Sequence, residues 1–154
     1  MSLNNGSMLP KDTRLESIRY ANHANKVEDF RTERMEDYLE VIYELIQYKG
    51  YATTMDISEY LNVSPPSVTK MVQKLNGSGH LNYGKYRGIQ LTDKGTLVAK
   101  NIRERHGLLA EFLQIIGVDE DTTNKDAEGM EHHLQPKTLG KLEHFIKGIN
   151  KEGK

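Results

Sequence analysis

The 154-residue chain contains no cysteine. Disulfides and thiolate metal sites are therefore excluded, and any bound metal must be held by histidine, carboxylate, backbone or water. Long apolar runs are also missing. Nothing approaches the roughly 20 consecutive apolar residues of a membrane span, and residues 1–34 lack the apolar stretch of a signal peptide. Internal repeats and low-complexity tracts are absent. With apolar residues at 36%, these absences predict a soluble cytoplasmic protein with no membrane partner. An excess of one charge sign is lacking too, since 21 basic residues face 22 acidic ones. The balance is uneven, however. Residues 50–95 hold 5 basic and 3 acidic side chains, whereas both flanks are net acidic. An acidic total does not exclude DNA binding, because the electrostatic footprint is local. It does predict weak affinity for DNA in the absence of a switch.

What is present starts to show pattern at Met35. Residues 1–34 read as an extension or leader, with MSLNNGS (1–7) as its flexible tip and a highly charged stretch at 11–33 that is compatible with a helix although its apolar pattern is poor. Met35, Tyr38, Leu39, Ile42, Leu45 and Ile46 then recur at helical spacing, and Gly50 stops the run. The polar stripe of this helix carries Asp37, Glu40 and Glu44; alone, that stripe is better read as a solvated face. TTMDISEYLNVSPPSVTKMVQKL (53–75) follows. Thr53 or Thr54 suits an N-cap, Ser58 is the small residue needed where two helices cross, and Pro65 and Pro66 suit the start of a second helix. Ile57, Leu61, Val63, Val68 and Met71 stand where a helix-turn-helix needs apolar residues. The exposed side of the second helix is Ser67, Thr69, Lys70, Gln73 and Lys74, with no acidic residue, as a major-groove helix requires. Leu81–Tyr83 and Ile89–Leu91 flank a Gly/Lys/Tyr/Arg/Gly turn and predict a hairpin. Beside a helix-turn-helix the hairpin reads as a wing, with Lys85 and Arg87 placed to meet phosphates.

Thr92 caps a long helix predicted to run to about Ile116, with Leu97, Ile102, Leu109, Leu113 and Ile116 on its buried side and Gly117 ending it. His106 falls toward that packing side, where a histidine alone is more often a satisfied core residue than a ligand. Asp119 can cap a short helix leading to Glu128-Gly-Met-Glu131-His132-His133, and Pro136 opens a final helix with Leu139, Leu142, Phe145, Ile146 and Ile149 on one face. That stripe reads as packing or dimer contact. Glu128, Glu131 and His132 fall at i, i+3 and i+4, positions that share one helix face. Two carboxylates and an imidazole converging there suit a divalent metal of the Mn²⁺/Fe²⁺ kind. Glutamate and histidine side by side on an exposed helix are common without a metal. The reading gains weight because Asp37 and Glu40 on the first helix, and His106 on the long one, offer matching donors.

At MEDYLEVIYELI (35–46), VSPPSVTKMVQKL (63–75), YRGIQLTDKG (86–95), RHGLLAEFLQIIGVDED (105–121) and EGMEHHL (128–134) the chain resembles the DtxR/MntR family of metal-dependent repressors, and within it the manganese-responsive branch. The resemblance covers about residues 35–150. It implies a mainly α fold: a winged helix-turn-helix DNA-binding domain at 35–95 and a helical dimerisation and metal-binding domain at 96–154. It also implies a homodimer on a double-stranded DNA operator, repressing genes of metal-ion uptake. Two Mn²⁺ per subunit would be held by Asp37, Glu40, His106, Glu128, Glu131 and His132. The iron-sensing relatives carry Met where this chain has Asp37, and a third, SH3-like domain that this chain would lack; both differences favour manganese. An iron-responsive repressor of the same fold is the alternative.

Two other readings compete. A di-metal carboxylate enzyme of the ferritin kind wants Glu-x-x-His pairs on two helices of a four-helix bundle, which the site region lacks, and has no use for a winged helix. A winged-helix repressor switched by an organic ligand would not need six convergent metal donors. The expectation is a non-enzymatic regulator with no small-molecule substrate.

Overall fold

The computed structural model describes Arg14 and residues 26–153, so the tip expected at residues 1–7 lies outside the described residues. Six helices and one hairpin run in order among the described residues: α1 (Lys26–Lys49), α2 (Thr54–Leu61), α3 (Pro65–Gly77), β1 (Leu81–Gly84), β2 (Gly88–Leu91), α4 (Asp93–Ile115), α5 (Glu120–Met130) and α6 (Pro136–Glu152). The helix starts follow local chemistry. Thr53 and Asp56 form a reciprocal capping box on α2, with Asp56 N donating to Thr53 Oγ1 at 3.1 Å and Thr53 N to Asp56 Oδ2 at 3.2 Å. Ser64 caps α3, whose first residues are prolines that need no N–H partner there. Thr92 and Asp119 cap α4 and α5 through the N–H groups of Gly95 and Thr122. Gly117, at φ +95°, terminates α4 in a conformation that costs glycine little.

The α2–α3 turn is fixed by Ser58, which donates from Oγ to Val63 O at 2.6 Å while Val63 N returns a bond to Ser58 O. The hairpin pairs Leu81 with Leu91 and Gly84 with Gly88, leaving residues 85–87 at its tip. Its root is pinned: Thr92 Oγ1 donates to Gly79 O at 2.7 Å and Lys94 Nζ to Ser78 O at 3.1 Å. Tyr83 N donates to Asn76 Oδ1, tying the wing to the end of α3.

Two apolar clusters carry the packing, both in the compact unit Arg34–Lys154. The first joins Tyr38, Leu39, Ile42 and Leu45 of α1 to Ile57, Val68, Val72, Leu75, Leu81, Ile89 and Ala99. The second joins Leu109 and Leu113 of α4 to Ala127 and Leu139. Burying one such side chain contributes about 1.5–3 kcal/mol; α1 and α3 share the first core, and α4 takes part in both clusters.

Three sequence expectations need correction. Leu97 and Ile116, placed on the buried side of α4, are 60% and 59% exposed. Leu97 precedes the buried Ala99 and Ile102, and Ile116 lies past the last helical residue, so neither turns toward a core. The third concerns the Glu128–His132 run. The helix ends at Met130, and Glu131 is its C-cap, so the three donors do not all sit on one regular helix. They still converge because Glu131 keeps a right-handed helical backbone, at φ −59° and ψ −26°.

Candidate metal centre and DNA-facing surface

The apolar side of α1 fixes the direction of its polar side. With Tyr38, Leu39, Ile42 and Leu45 committed to the first core, Glu36, Asp37 and Glu40 are left to face the end of α5. There, Asp37, Glu128, Glu131 and His132 each offer one donor atom, and the four atoms lie within 4.8 Å of one another. His132 is nearly buried, with 3% of its side chain exposed, and its Nε2 is 3.1 Å from Asp37 Oδ1. His106 joins from α4: its Nδ1 is 2.8 Å from Glu131 Oε2 and 3.5 Å from Glu128 Oε2.

The electrostatics describe a site short of positive charge. Glu131 is fully buried. Burial, with the charges of Glu128 and Glu40 behind it, pushes its carboxyl up to about 8. Glu40 is pushed up to about 7, by burial first and then by Glu128, Asp37 and Glu44. Burial opposes charging of His132, but hydrogen bonds to Asp37 and Glu36 outweigh it and raise the ring to about 10. Glu131 Oε1 is buried and has no hydrogen-bond partner, a costly condition for a carboxylate oxygen. An orphaned oxygen among carboxylates and imidazoles fits a divalent cation, and the oxygen-rich, sulfur-free donor set fits a hard or borderline one.

Of the six expected donors, Asp37, Glu128, Glu131 and His132 come together most closely, and His106 adjoins them through Glu131 and Glu128. Glu40 lies outside the group of four but feels the charges of Glu128, Asp37 and His132. Sequence reasoning missed Glu36, whose Oε2 is 2.7 Å from His132 Nδ1. The available signal was its position beside Asp37 and one turn before Glu40.

Of the side chains expected to meet DNA, Ser67, Lys70, Gln73 and Lys74 are exposed on α3. The Ser67 hydroxyl is 2.8 Å from that of the capping Ser64, and half-buried Thr69 donates to Pro65 O at 3.2 Å, which leaves its oxygen lone pairs outward. Lys85 and Arg87 are exposed at the wing tip.

A helix-turn-helix with a wing, joined to a helical lobe through a carboxylate–imidazole cluster, defines a metal-binding winged-helix regulator. Residues 31–89 match the family described as "Iron dependent repressor, N-terminal DNA binding domain", and residues 92–152 match "Iron dependent repressor, metal binding and dimerisation domain". The HTH-type transcriptional regulator MntR of Bacillus subtilis is 53% identical over 111 residues, covering 72% of this chain and 78% of that protein. The MntR of Lysinibacillus sphaericus is 50% identical over 115 residues, covering 75% and 83%. The solved structure of the manganese regulator SloR superposes with a TM-score of 0.66 at 32% identity, covering 73% of this chain and 53% of that one, so the chain spans about half the length of that regulator.

The chain belongs to the DtxR/MntR family of metal-dependent repressors. It is a metal-dependent DNA-binding transcriptional repressor, not an enzyme, and it acts through a divalent metal, a DNA operator and a homodimer.

Proposed function

We propose that this chain is a manganese-activated repressor of metal-ion uptake genes in the cytoplasm, with no small-molecule substrate. Residues 35–95 would form its DNA-binding domain and residues 96–154 its dimerisation and metal-binding domain. Asp37, Glu40, His106, Glu128, Glu131 and His132 would hold two Mn²⁺ per subunit. The observation that carries this reading is the convergence of Asp37 with Glu128, Glu131 and His132 around a buried carboxylate oxygen that has no hydrogen-bond partner. The similarity to the manganese regulator SloR, at 32% identity, supports manganese. So does Asp37, a hard oxygen donor that Mn²⁺ accepts without strong geometric demand.

When bound, the cations would supply the positive charge that lets these carboxylates ionise together. The rest follows from the chain's own residues. Asp37 and Glu40 belong to α1, which shares a core with Val68, Val72 and Leu75 of α3. Glu128, Glu131 and His132 belong to the end of α5. Drawing these donors together fixes α1, and through it α3, relative to the dimer-forming helices. In a dimer this sets the spacing of two recognition helices, which must meet half-sites about 34 Å apart. Ser67, Thr69, Lys70 and Gln73 would read base edges or nearby phosphates, and Lys74, Lys85 and Arg87 chiefly phosphates.

The test is selection of DNA from a random library with Mn²⁺ present, followed by gel-shift titration of the selected duplex. Chelator-treated protein should retain little DNA, and Mn²⁺ should restore retention. Equal retention with chelator would overturn the reading, and half-saturation at lower Fe²⁺ than Mn²⁺ under anaerobic conditions would make iron the activator.

A further inference from the structure

Glu36 stands outside the six donors, yet it takes one of the two nitrogens of His132. His132 Nδ1 is 2.7 Å from Glu36 Oε2, across 96 residues of sequence. The other nitrogen, Nε2, faces the cluster, 3.1 Å from Asp37 Oδ1 and 3.5 Å from Glu131 Oε1. Only 3% of the His132 side chain and 20% of the Glu36 side chain are exposed, so water competes poorly for either group. Two neighbouring residues of α1 thus grip opposite nitrogens of one buried ring.

We propose that Glu36 is a positioning residue that fixes the tautomer of His132. An ionised carboxylate only accepts, so the proton of the neutral ring is drawn to Nδ1 and donated to Glu36. The Nε2 lone pair then points into the carboxylate cluster, free to bind a cation. Without Glu36, the buried ring would satisfy itself by placing its proton on Nε2 and donating to Asp37 Oδ1, where it would block the donor position. Carboxylates that orient a ligating histidine in this way typically account for 10–100-fold in metal affinity. The proposal rests on the metal-centre reading and adds Glu36 to it as a seventh participant that does not touch the ion.

The experiment uses the full chain as wild type, Glu36→Gln and Glu36→Leu. Imidazole ¹⁵N shifts of His132 are recorded without metal and with diamagnetic Cd²⁺, and Mn²⁺ affinity and stoichiometry are measured by calorimetry. Without metal at neutral pH the wild-type ring should carry protons on both nitrogens; once neutral, and with Cd²⁺ bound, it should keep its proton on Nδ1. Glu36→Leu should shift the neutral metal-free ring toward the Nε2-protonated form and weaken Mn²⁺ binding about 10–100-fold, with stoichiometry unchanged. Glu36→Gln, whose amide oxygen still accepts, should keep the tautomer and recover most of the affinity; Glu36→Ala, which also removes the acceptor, takes the place of the Leu variant if that one does not fold. Unchanged tautomer and affinity in Glu36→Leu would overturn the proposal. So would loss of a whole equivalent of Mn²⁺ with the tautomer intact, which would make Glu36 a direct ligand. A wild type that binds no Mn²⁺ would instead sink the metal-centre reading itself.

Discussion

Glu131→Gln should make the metal-free protein more stable while weakening its hold on metal. Glu131 is fully buried, and its carboxyl is raised from 4.5 to about 8. A carboxyl raised on folding takes up a proton when the chain folds. Its contribution to stability is intact below about 4.5 and is lost as pH rises toward 8, where the loss levels off. At pH 7 the protein has crossed about 2.5 units of that window, and at about 1.36 kcal/mol per unit the penalty is ~3 kcal/mol. Glutamine mimics the protonated acid. It keeps an oxygen to accept from His106, as Glu131 Oε2 does at 2.8 Å, and removes the penalty. The assay is urea unfolding in chelator at fixed protein concentration, at pH 4.5 and 7.5. The two proteins should be nearly equal at pH 4.5, and the variant should be more stable by ~4 kcal/mol at pH 7.5. Adding Mn²⁺ should reverse the order, because wild type gains binding energy that the variant cannot match. A variant less stable than wild type at pH 7.5 without metal, or a difference that does not change with pH, would refute the reasoning.

Gly95→Ala should cost stability although it adds a good helix former, because a Cβ there would lie 1.9 Å from His80 O and 2.9 Å from His80 C, both backbone atoms. The helix gain of ~1 kcal/mol is outweighed by an overpacking cost of about 1–3 kcal/mol or more, so its urea midpoint should fall below wild type. Gly148→Ala, with nothing within 4 Å, should match or exceed wild type, and equal midpoints for the two variants would refute the contact. Lys85→Ala should weaken binding to every DNA sequence alike and flatten the salt dependence by roughly 0.9 in log–log slope. An unchanged slope would mean the wing tip does not meet the backbone.

The local chemistry of the fold was readable because it is written at short range. Thr53, Ser64, Thr92 and Asp119 cap helices where the sequence places capping residues, and the stripe from Met35 to Ile46 has one periodicity that only a helix satisfies. The start of α1 at Lys26 was not readable, because residues 26–33 are mostly charged and lack that stripe. Leu97 and Ile116 misled because an apolar residue on a helix names no particular neighbour. In the site, residue types gave the donors, but nothing in their spacing says that Asp37 meets His132. That meeting depends on α1 and the end of α5 converging in space. Glu36 escaped for the related reason that an acidic residue beside a candidate ligand looks like solvated surface until a buried ring is found against it.

One consequence follows from the double use of α1. Tyr38, Leu39, Ile42 and Leu45 serve the DNA-binding core, while Glu36, Asp37 and Glu40 serve the cluster at the end of α5. Both sets are read from a single helical phase. Inserting or deleting one residue between Glu36 and Ile42 would turn everything beyond it by about 100°, and no such turn leaves both sets in register. This segment can therefore change by substitution but not in length. On the proposed reading, a shift of the acidic edge of α1 would reach its apolar edge through the shared helical backbone, without a relay of side chains.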